Sequence, residues 1–222
     1  MNPVIVELKG QRLSLLPERA VWWPAQRALL VADVHVGKGT SFRRRGMAVP
    51  TGSSAATLDR LRALILRHEA ERLIVLGDFL HAELDPPIVQ LIDGWRASLP
   101  ATEVVLVLGN HDRALARQPL SGIDATDCCE LAGIDLLHDA PDDERAAVSG
   151  HLHPCVRVGL NRSDQLRLPV FWVRGQQLVL PAFGEFTGGQ LVQPTSGDRV
   201  YAIAEATVMD VTALASRRRS RS

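Results

Sequence analysis

Long hydrophobic runs are missing from this sequence of 222 residues. The apolar runs have the length of β-strands, and none approaches the roughly 18 residues that a membrane-spanning helix requires. The chain enters an apolar run at residues 4–8 without the basic segment and cleavage site that are typical of a secretory signal. We therefore expect a cytoplasmic protein with no membrane partner.

Cysteine is also scarce. Cys128 and Cys129 are adjacent and Cys155 stands alone, and adjacent cysteines rarely bridge each other, so a disulfide framework is excluded. This usage fits a reducing compartment. Cys155 follows two histidines closely enough to be considered as a metal ligand, but we place it in the core as a small packed residue.

The sequence has no net charge, since 25 basic residues balance 25 acidic ones. The net charge therefore gives no indication of nucleic-acid binding, and only local runs of basic residues remain as candidates for such contacts. One is formed by Arg43, Arg44 and Arg45, and the other lies in the Ser/Arg-rich segment 216–222. We expect a single domain over residues 1–215 and a disordered basic tail over 216–222; a nucleic-acid contact by this tail is the alternative.

Strand-length apolar runs alternate with helical periodicity in the first half of the chain. Two opening strands are predicted at 4–8 and 12–16, followed by an irregular stretch through Trp22 and Trp23. Apolar residues recur at helical spacing over 57–68 and over about 87–97, between strands that end near Asp33, Asp78 and Asn110. This order of strands and helices predicts a parallel central sheet.

Short strands dominate the second half. They are predicted at 134–138, 146–150, 155–159, 169–174, 177–180 and 199–207. A glycine-rich loop follows at 181–189, near a strand end. We expect the two halves to supply two mixed β-sheets that pack face to face and are flanked by helices, an α/β fold of the αββα sandwich type.

Residues able to bind a metal follow five of the apolar runs, at the points where the runs end. They are Asp33, His35, Asp78, Asn110, His138, His151 and His153. Each alone is as easily a turn former or a helix cap, but the carboxyl ends of strands form the rim where ligands bind in such sheets. All five endings together predict a metal site. Oxygen and imidazole donors without a thiolate suit Mn, Fe or Zn.

These motifs carry a resemblance to a known family. DxH, GD, GNHD, a strand-end histidine and GHxH follow one another over residues 33–153, in an order that resembles the calcineurin-like metallophosphoesterase superfamily. The phrases ADVHVGK at 32–38, LGDFLH at 76–81 and LPAFG at 180–184 further resemble the ligase-associated DNA damage response endonuclease type. The resemblance extends over nearly the whole chain.

The resemblance implies two divalent metal ions, with Mn as the first choice and Fe or Zn as alternatives. It assigns one ion to Asp33, His35, Asp78 and His153, and the other to Asp78, Asn110, His138 and His151. Asp78 would then bridge the two ions. His111 lies beside a ligand without being one and is the predicted general acid. Asp112 is predicted to orient its imidazole, with a local turn or cap as the equal alternative.

Substrate contacts are predicted in the segment after the first motif. Lys38 and the arginines Arg43, Arg44 and Arg45 could bind substrate phosphates, although a solvated loop is the alternative. His81 either reaches the substrate or orders its loop. A phosphate-binding P-loop around Lys38 is excluded, because the upstream glycine of that motif is absent.

Three functions remain open. The first is a two-metal phosphodiesterase acting on DNA as a repair endonuclease, with a ligase or helicase as partners that only the resemblance implies. The second is a small-molecule phosphoesterase acting on nucleotides or cyclic nucleotides, because the core motifs do not specify the leaving group. The third is a non-catalytic scaffold, although a scaffold would not need the complete set of metal donors. The sequence leaves the oligomeric state open, a homodimer included.

Overall fold

The computed structural model describes residues 3–81, 84–116, 118–159, 165–185 and 187–216. The tail predicted over 216–222 lies outside these residues except for its first position. Within the described ranges, no helix is both long enough and apolar enough to cross a bilayer.

The first sheet contains seven strands in chain order. They are β1 (Val4–Leu8), β2 (Gln11–Leu16), β3 (Ala20–Trp23), β4 (Ala28–Val31), β5 (Arg72–Leu76), β6 (Glu103–Val107) and β7 (Asp124–Thr126). Neighbours pair antiparallel from β1 to β4 and parallel from β4 to β7. The expectation of an irregular stretch through Trp22 and Trp23 was wrong, because both residues pair with β4 as part of β3.

Among the described residues, four α-helices and two short 3-10 helices accompany the sheets. The α-helices are α1 (Lys38–Arg44), α2 (Ser53–His68), α3 (Pro86–Ala97) and α4 (Thr212–Ser216), and the 3-10 helices are Pro24–Gln26 and Asp112–Ala116. Helices α2 and α3 form the parallel crossovers between β4, β5 and β6. The start of α3 is fixed by the Asp85 carboxylate, which accepts a hydrogen bond from the Ile88 amide at 3.1 Å.

The second sheet contains nine strands. They are β8 (Cys129–Leu131), β9 (Ile134–Leu137), β10 (Ala147–Ser149), β11 (Pro154–Val158), β12 (Leu166–Arg174), β13 (Gln177–Val179), β14 (Gln190–Leu191), β15 (Arg199–Ala204) and β16 (Thr207–Asp210). Their order is β14-β11-β12-β13-β10-β9-β8, with β15 on β12 and β16 on β15. The prediction of one strand over 199–207 was wrong, because a turn at Glu205, with φ of 51°, divides it into β15 and β16.

The hydrophobic core is divided into layers, because successive side chains of each strand point to opposite faces of the sheet. In β4, Leu29 and Val31 pack towards α2 and α3, whereas Leu30 packs between the sheets. The second sheet contributes buried residues such as Phe171 and Val173 of β12 to the same inter-sheet layer. Cys155 is buried, as predicted. The two-sheet α/β architecture predicted from the sequence is confirmed.

One edge of this sandwich collects the carboxyl ends of strands from both sheets. Strands β4, β5 and β6 end there, and β9 and β10 of the second sheet end against them. The two sets are joined by hydrogen bonds, since the His151 amide donates to the Asp33 carboxylate at 3.0 Å and the His138 ring nitrogen Nδ1 donates to the Leu76 carbonyl at 3.1 Å. The rim expected from the sequence is therefore built by two sheets.

Candidate metal centre

The residues that follow these strands have an unusual backbone. Left-handed φ angles occur at Asp33 (54°), His35 (53°), Asp78 (51°), His151 (65°) and His153 (45°). Residues with a side chain rarely adopt this region, and each instance costs on the order of 1–3 kcal/mol unless the surroundings impose it. The chain thus turns sharply as each strand ends, and the side chains project over the rim.

The first cluster consists of Asp33, His35 and His153, whose donor atoms lie within 4.8 Å of one another. Asp33 is fully buried, and its Oδ1 has no hydrogen-bond partner among the described residues but lies 3.3 Å from His153 Nε2. His153 Nδ1 donates to the Gly188 carbonyl at 3.1 Å. Because a carbonyl oxygen only accepts, Nδ1 carries the proton, and the Nε2 lone pair faces the Asp33 carboxylate.

His35 is the most isolated member of this cluster. Both of its ring nitrogens are buried and lack a hydrogen-bond partner among the described residues. Burial lowers the pKa of His35 to about 2, and the charge of Lys38 adds to the effect, so the imidazole is neutral. The rings of His81, His111 and His153 surround it at centroid distances of 5.1–5.4 Å. A buried polar group without a partner is costly, and a bound cation would remove that cost.

The second cluster consists of Asp78, His138 and His151. His138 Nδ1 donates to the Leu76 carbonyl at 3.1 Å, which leaves a lone pair on Nε2. That nitrogen lies 2.9 Å from His151 Nδ1, 3.1 Å from Asn110 Oδ1 and 3.6 Å from Asp78 Oδ1. Several electron-rich atoms therefore converge on one point.

Both clusters fit a divalent metal ion. Ligand atoms at about 2.0–2.2 Å from a shared ion lie roughly 3 Å apart when they occupy neighbouring coordination positions. In the second cluster, His138 Nε2 lies 2.9–3.6 Å from the neighbouring donors, and in the first, Asp33 Oδ1 lies 3.3 Å from His153 Nε2. Without a cation the facing lone pairs would repel one another. Carboxylate, amide and imidazole donors suit a first-row divalent ion.

Glycines in the motifs make this convergence sterically feasible. A Cβ atom at Gly77 would overlap His138 Nδ1, and one at Gly109 would overlap Asp78 Oδ1. Gly77 also has φ of 79°, a left-handed conformation that glycine adopts at little cost. The glycines beside the predicted ligands are thus required for the close approach of the loops.

The glycine-rich loop at 181–189 ties the second sheet to the first cluster. The Gly184 amide donates to the Asp33 carbonyl at 3.0 Å, and the Gly188 carbonyl orients His153. The sequence identified this loop as lying near a strand end but did not reveal its contacts. The only signal was its composition.

His111 lies at the open side of the centre. Its side chain is 40% exposed, and its Nε2 lies 4.0 Å from Asp78 Oδ2. Its backbone amide donates to Asp78 Oδ1 at 2.9 Å, and its ring stacks on His81 at 5.0 Å between centroids. The imidazole is therefore next to the donors and accessible to a ligand.

Asp112 is buried and holds two loops together. Its carboxylate accepts hydrogen bonds from the amides of Gly109 at 3.0 Å, Leu80 at 2.9 Å and Phe79 at 3.3 Å. Burial raises the pKa of the Asp112 carboxyl, and these amide bonds oppose the shift. The contacts favour a positioning role through the loop that carries His111, and a catalytic role for Asp112 stays a prediction.

Lys38 and His81 lie beside the clusters. Lys38 lines a small cavity together with His35. Burial lowers the pKa of Lys38, and the carboxylates of Asp33 and Asp78 oppose that shift. Burial together with the charge of Lys38 lowers the pKa of His81 to about 4. Both side chains are placed where a substrate phosphate could reach them.

The arginines of the run at 43–45 differ in their surroundings. Arg43 donates to the Pro50 carbonyl at 2.8 Å and to Thr40 Oγ1 at 3.0 Å, so its guanidinium group is engaged within its own segment. Arg45 is exposed, and its charge acts on His81. The side chain of Arg44 lies outside the described part of the structure.

Asp139 is a neighbour of the centre that the sequence analysis missed. Its Oδ1 lies 3.6 Å from His151 Nε2, the nitrogen that faces away from the second cluster. An exposed aspartate after a histidine is too common to signal such a role. The pair favours presentation of Nδ1 of His151 to the cluster.

Comparison with known proteins places the chain in a family. Residues 26–140, more than half of the chain, match calcineurin-like phosphoesterases. The crystal structure of a Pseudomonas putida nuclease, MPE, is 40% identical, covers 95% of this chain and 100% of its own, and has a TM-score of 0.80. Yfce, a phosphoesterase from E. coli, is 15% identical over 83% of this chain and 98% of its own, with a TM-score of 0.44. No curated protein matches the sequence. The chain belongs to the calcineurin-like phosphoesterase family and is a metal-dependent phosphoester hydrolase.

Proposed function

We propose that this protein is a two-metal phosphodiesterase that cleaves DNA strands internally and uses Mn²⁺. The observation that carries the proposal is the pair of donor clusters, each of which combines residues from both sheets at the shared rim. The similarity to the Pseudomonas putida nuclease supports a nucleic-acid substrate. The donor set supports Mn²⁺, with Fe or Zn as alternatives.

The ligands of the proposed ions follow the two clusters. One ion is assigned to Asp33, His35, Asp78 and His153, and the other to Asp78, Asn110, His138 and His151. The bridging position of Asp78 is supported by its two oxygens. Oδ1 faces His138, and Oδ2 faces His111, whose ring packs against His35 of the first cluster.

The charge of this centre suits a phosphodiester. The carboxylates of Asp33 and Asp78 balance half of the four positive charges of two divalent ions, and the neutral amide and imidazole ligands add none. The excess positive charge attracts an anionic diester. Two bound divalent ions supply an activated water and stabilise charge on the phosphoryl oxygens.

The protein's own groups complete the reaction. His111 is exposed beside Asp78 and is assigned as the general acid that gives its ring proton to the leaving oxygen of the sugar. Lys38 is assigned to a non-bridging phosphate oxygen, because it lines a small cavity together with His35. Asp112 positions His111 by fixing the loop at Gly109.

The biological setting belongs to the same proposal. The resemblance of the motifs to repair endonucleases favours DNA repair, with a ligase or helicase as partner, and a cytoplasmic location. A single catalytic domain over residues 1–215 is part of this proposal.

A hydrolysis panel tests the proposed function. Metal-stripped protein is reloaded with Mn²⁺, Fe²⁺ or Zn²⁺ and given circular single-stranded DNA, duplex DNA, cyclic nucleotides and bis(p-nitrophenyl) phosphate. We expect Mn²⁺-dependent cleavage of circular single-stranded DNA, which has no ends and therefore reports internal cleavage. Hydrolysis of cyclic nucleotides without cleavage of any DNA would favour the small-molecule phosphoesterase, and absence of both activity and bound metal would favour a scaffold.

A further inference from the structure

A basic groove lies directly beside the first cluster and has no role in the proposal above. It has a volume of about 310 Å³ and begins at the metal-ligand candidate His153. Arg19, in the turn between β2 and β3, lines one side, and Arg167 of β12 lines another. The groove is therefore continuous with the proposed catalytic centre.

Strand alternation explains why this groove is basic. Phe171 and Val173 of β12 point into the inter-sheet core, and Arg167 lies on the same face, an even number of residues away. The register places Arg167 opposite Arg157 of β11, and Pro169 opposite Cys155. The face that is apolar between the sheets is thus basic where β11 and β12 extend beyond the core.

Two like charges face each other in this register. Arg157 and Arg167 are both exposed, and directly opposed like charges destabilise an antiparallel pair. Within the described ranges, no carboxylate lies at ion-pair distance from either residue. The register puts both arginines on the face of Cys155 and Pro169, which line the groove together with Arg167. Burial raises the pKa of the Cys155 thiol, and the charges of Arg167 and Arg157 oppose the shift. An anionic ligand would relieve this repulsion.

Arg19 contributes a third cation with a different function. Its guanidinium donates to the carbonyls of Ala182 at 3.5 Å and Gly184 at 3.4 Å, so it also supports the loop at 181–189. Burial lowers the pKa of Arg19, and the exposed Glu185 opposes the shift. Its removal would disturb the first cluster, so Arg19 is unsuitable as a test position.

We infer that this groove binds the phosphate backbone of a polynucleotide substrate as the strand leaves the metal centre on the His153 side. The inference rests on the proposed nuclease function and specifies the path of its substrate. Lys38 lines a small cavity together with His35, so the centre has a cation outside the groove as well. The planar guanidinium groups of Arg157 and Arg167 suit bidentate contacts to phosphate oxygens.

The double variant R157Q/R167Q tests this path in the Mn²⁺-loaded enzyme. We measure kcat/KM on a fluorescent single-stranded oligonucleotide over a salt series, and hydrolysis of bis(p-nitrophenyl) phosphate in parallel. The slope of log kcat/KM against log salt should become shallower by about 1.4, because each single-strand phosphate contact contributes about 0.7. Hydrolysis of the small diester should be unchanged in R157Q. Arg167 also donates to the Gly189 carbonyl of the loop at 181–189, at 3.5 Å, so oligonucleotide rates of variants at Arg167 are compared as ratios to their small-diester rates.

The matched control is R12Q/R62Q, which removes two exposed arginines from β2 and α2, outside the groove. It should retain the salt slope of the wild type, which excludes an effect of net charge alone. The single variants R157Q and R167Q should each show about half of the double effect. A thermal melt confirms that every variant is folded.

Three outcomes overturn the inference. A wild-type salt slope and rate on the oligonucleotide in R157Q/R167Q would show that no phosphate binds there. Equal losses on the oligonucleotide and on the small diester would show that the substitutions damage the centre instead. If the wild type hydrolyses the small diester but no oligonucleotide, the proposed DNA substrate fails first, and the inference fails with it.

Discussion

The two donor clusters contain the same residue types but are held in different ways. In the first, Asp33 is fully buried with its Oδ1 unpaired, and His35 has two buried nitrogens without partners among the described residues. In the second, His138 Nδ1 donates to the Leu76 carbonyl, Asp78 Oδ1 accepts a hydrogen bond from the His111 amide, and the side chain of His151 is 46% exposed. The first cluster thus depends on a cation to compensate its burial, whereas hydrogen bonds arrange the second in advance.

This difference teaches that one reaction centre can be assembled by two kinds of constraint. Buried, unpaired donors favour tight metal binding, because a bound ion removes a desolvation cost. Ordered but exposed donors favour exchange of the bound ion with solvent. The effect of a substitution should therefore depend on its position. We expect the largest effect at a residue shared by the clusters, smaller effects between the clusters and within one of them, and the smallest effect beside them.

The largest effect is expected at Asp78, which belongs to the second cluster and faces the first. Asp78→Ala should reduce turnover by at least roughly 10²–10³-fold, the scale on which a preorganised electrostatic group acts, and should lower the content of both ions. Elemental analysis and the hydrolysis of bis(p-nitrophenyl) phosphate measure the two effects. Asp93→Ala, at an exposed position of α3, is the matched control. Two equivalents of metal with normal turnover in Asp78→Ala would contradict the bridging assignment.

The next largest effect is expected at His111, which lies between the clusters. His111→Gln should retain both ions but slow DNA cleavage by about 10²–10⁴-fold, because the deoxyribose oxygen leaves poorly without a proton. Release of nitrophenolate, a good leaving group, should be slowed far less. The ratio of the two rate losses is the measurement. Equal losses would indicate that His111 acts as a ligand or a structural residue.

A smaller effect is expected from Gly77, which packs against the second cluster alone. Gly77→Ala should displace the ring of His138 and weaken the second ion by about 10–100-fold, as loss of ligand orientation does. Titration of Mn²⁺ into stripped protein measures this affinity. The control is Gly10→Ala, because Gly10 has a similar φ of 74°, but a Cβ added there would meet no atom within 4 Å. Equal Mn²⁺ affinity in the two variants would show that the overlap with His138 is unimportant.

The smallest effect is expected beside the first cluster, at Arg45. Arg45→Gln should make the salt slope for an oligonucleotide shallower by about 0.7, as one lost phosphate contact, with metal content unchanged. Arg43→Gln should instead lower the melting temperature, because it removes the bonds to Pro50 and Thr40. A salt slope in Arg45→Gln that equals that of the wild type would remove this residue from the substrate path.

Elements with a helical period or an apolar run could be predicted from the sequence, whereas short elements without one could not. The helix predicted over 57–68 is the central and C-terminal part of α2, because Leu58, Leu61 and Ile65 recur on one buried face. Strands β7, β8 and β14 are two or three residues long, too short for a period to be visible. Their pairing with neighbours defines them, and pairing is a tertiary property.

Part of the candidate site could likewise be predicted from the sequence, and part could not. The sequence predicted that residues after five strands would meet, since strand ends gather at a rim. It could not predict which nitrogen of His138 carries the proton, because that depends on the Leu76 carbonyl far away in the chain. Nor could it reveal the pairing of Arg157 with Arg167, which depends on the register of β11 and β12.

At five of the proposed ligand positions the backbone is left-handed, so thermal stability and activity favour different residues there. Glycine adopts this conformation without the steric cost that Asp33, His35 or His151 incurs, although it loses more chain entropy on folding. Variants selected only for resistance to heat should therefore accept glycine at these positions more readily than at other buried sites. Selection for catalysis acts in the opposite direction, because glycine supplies no donor atom.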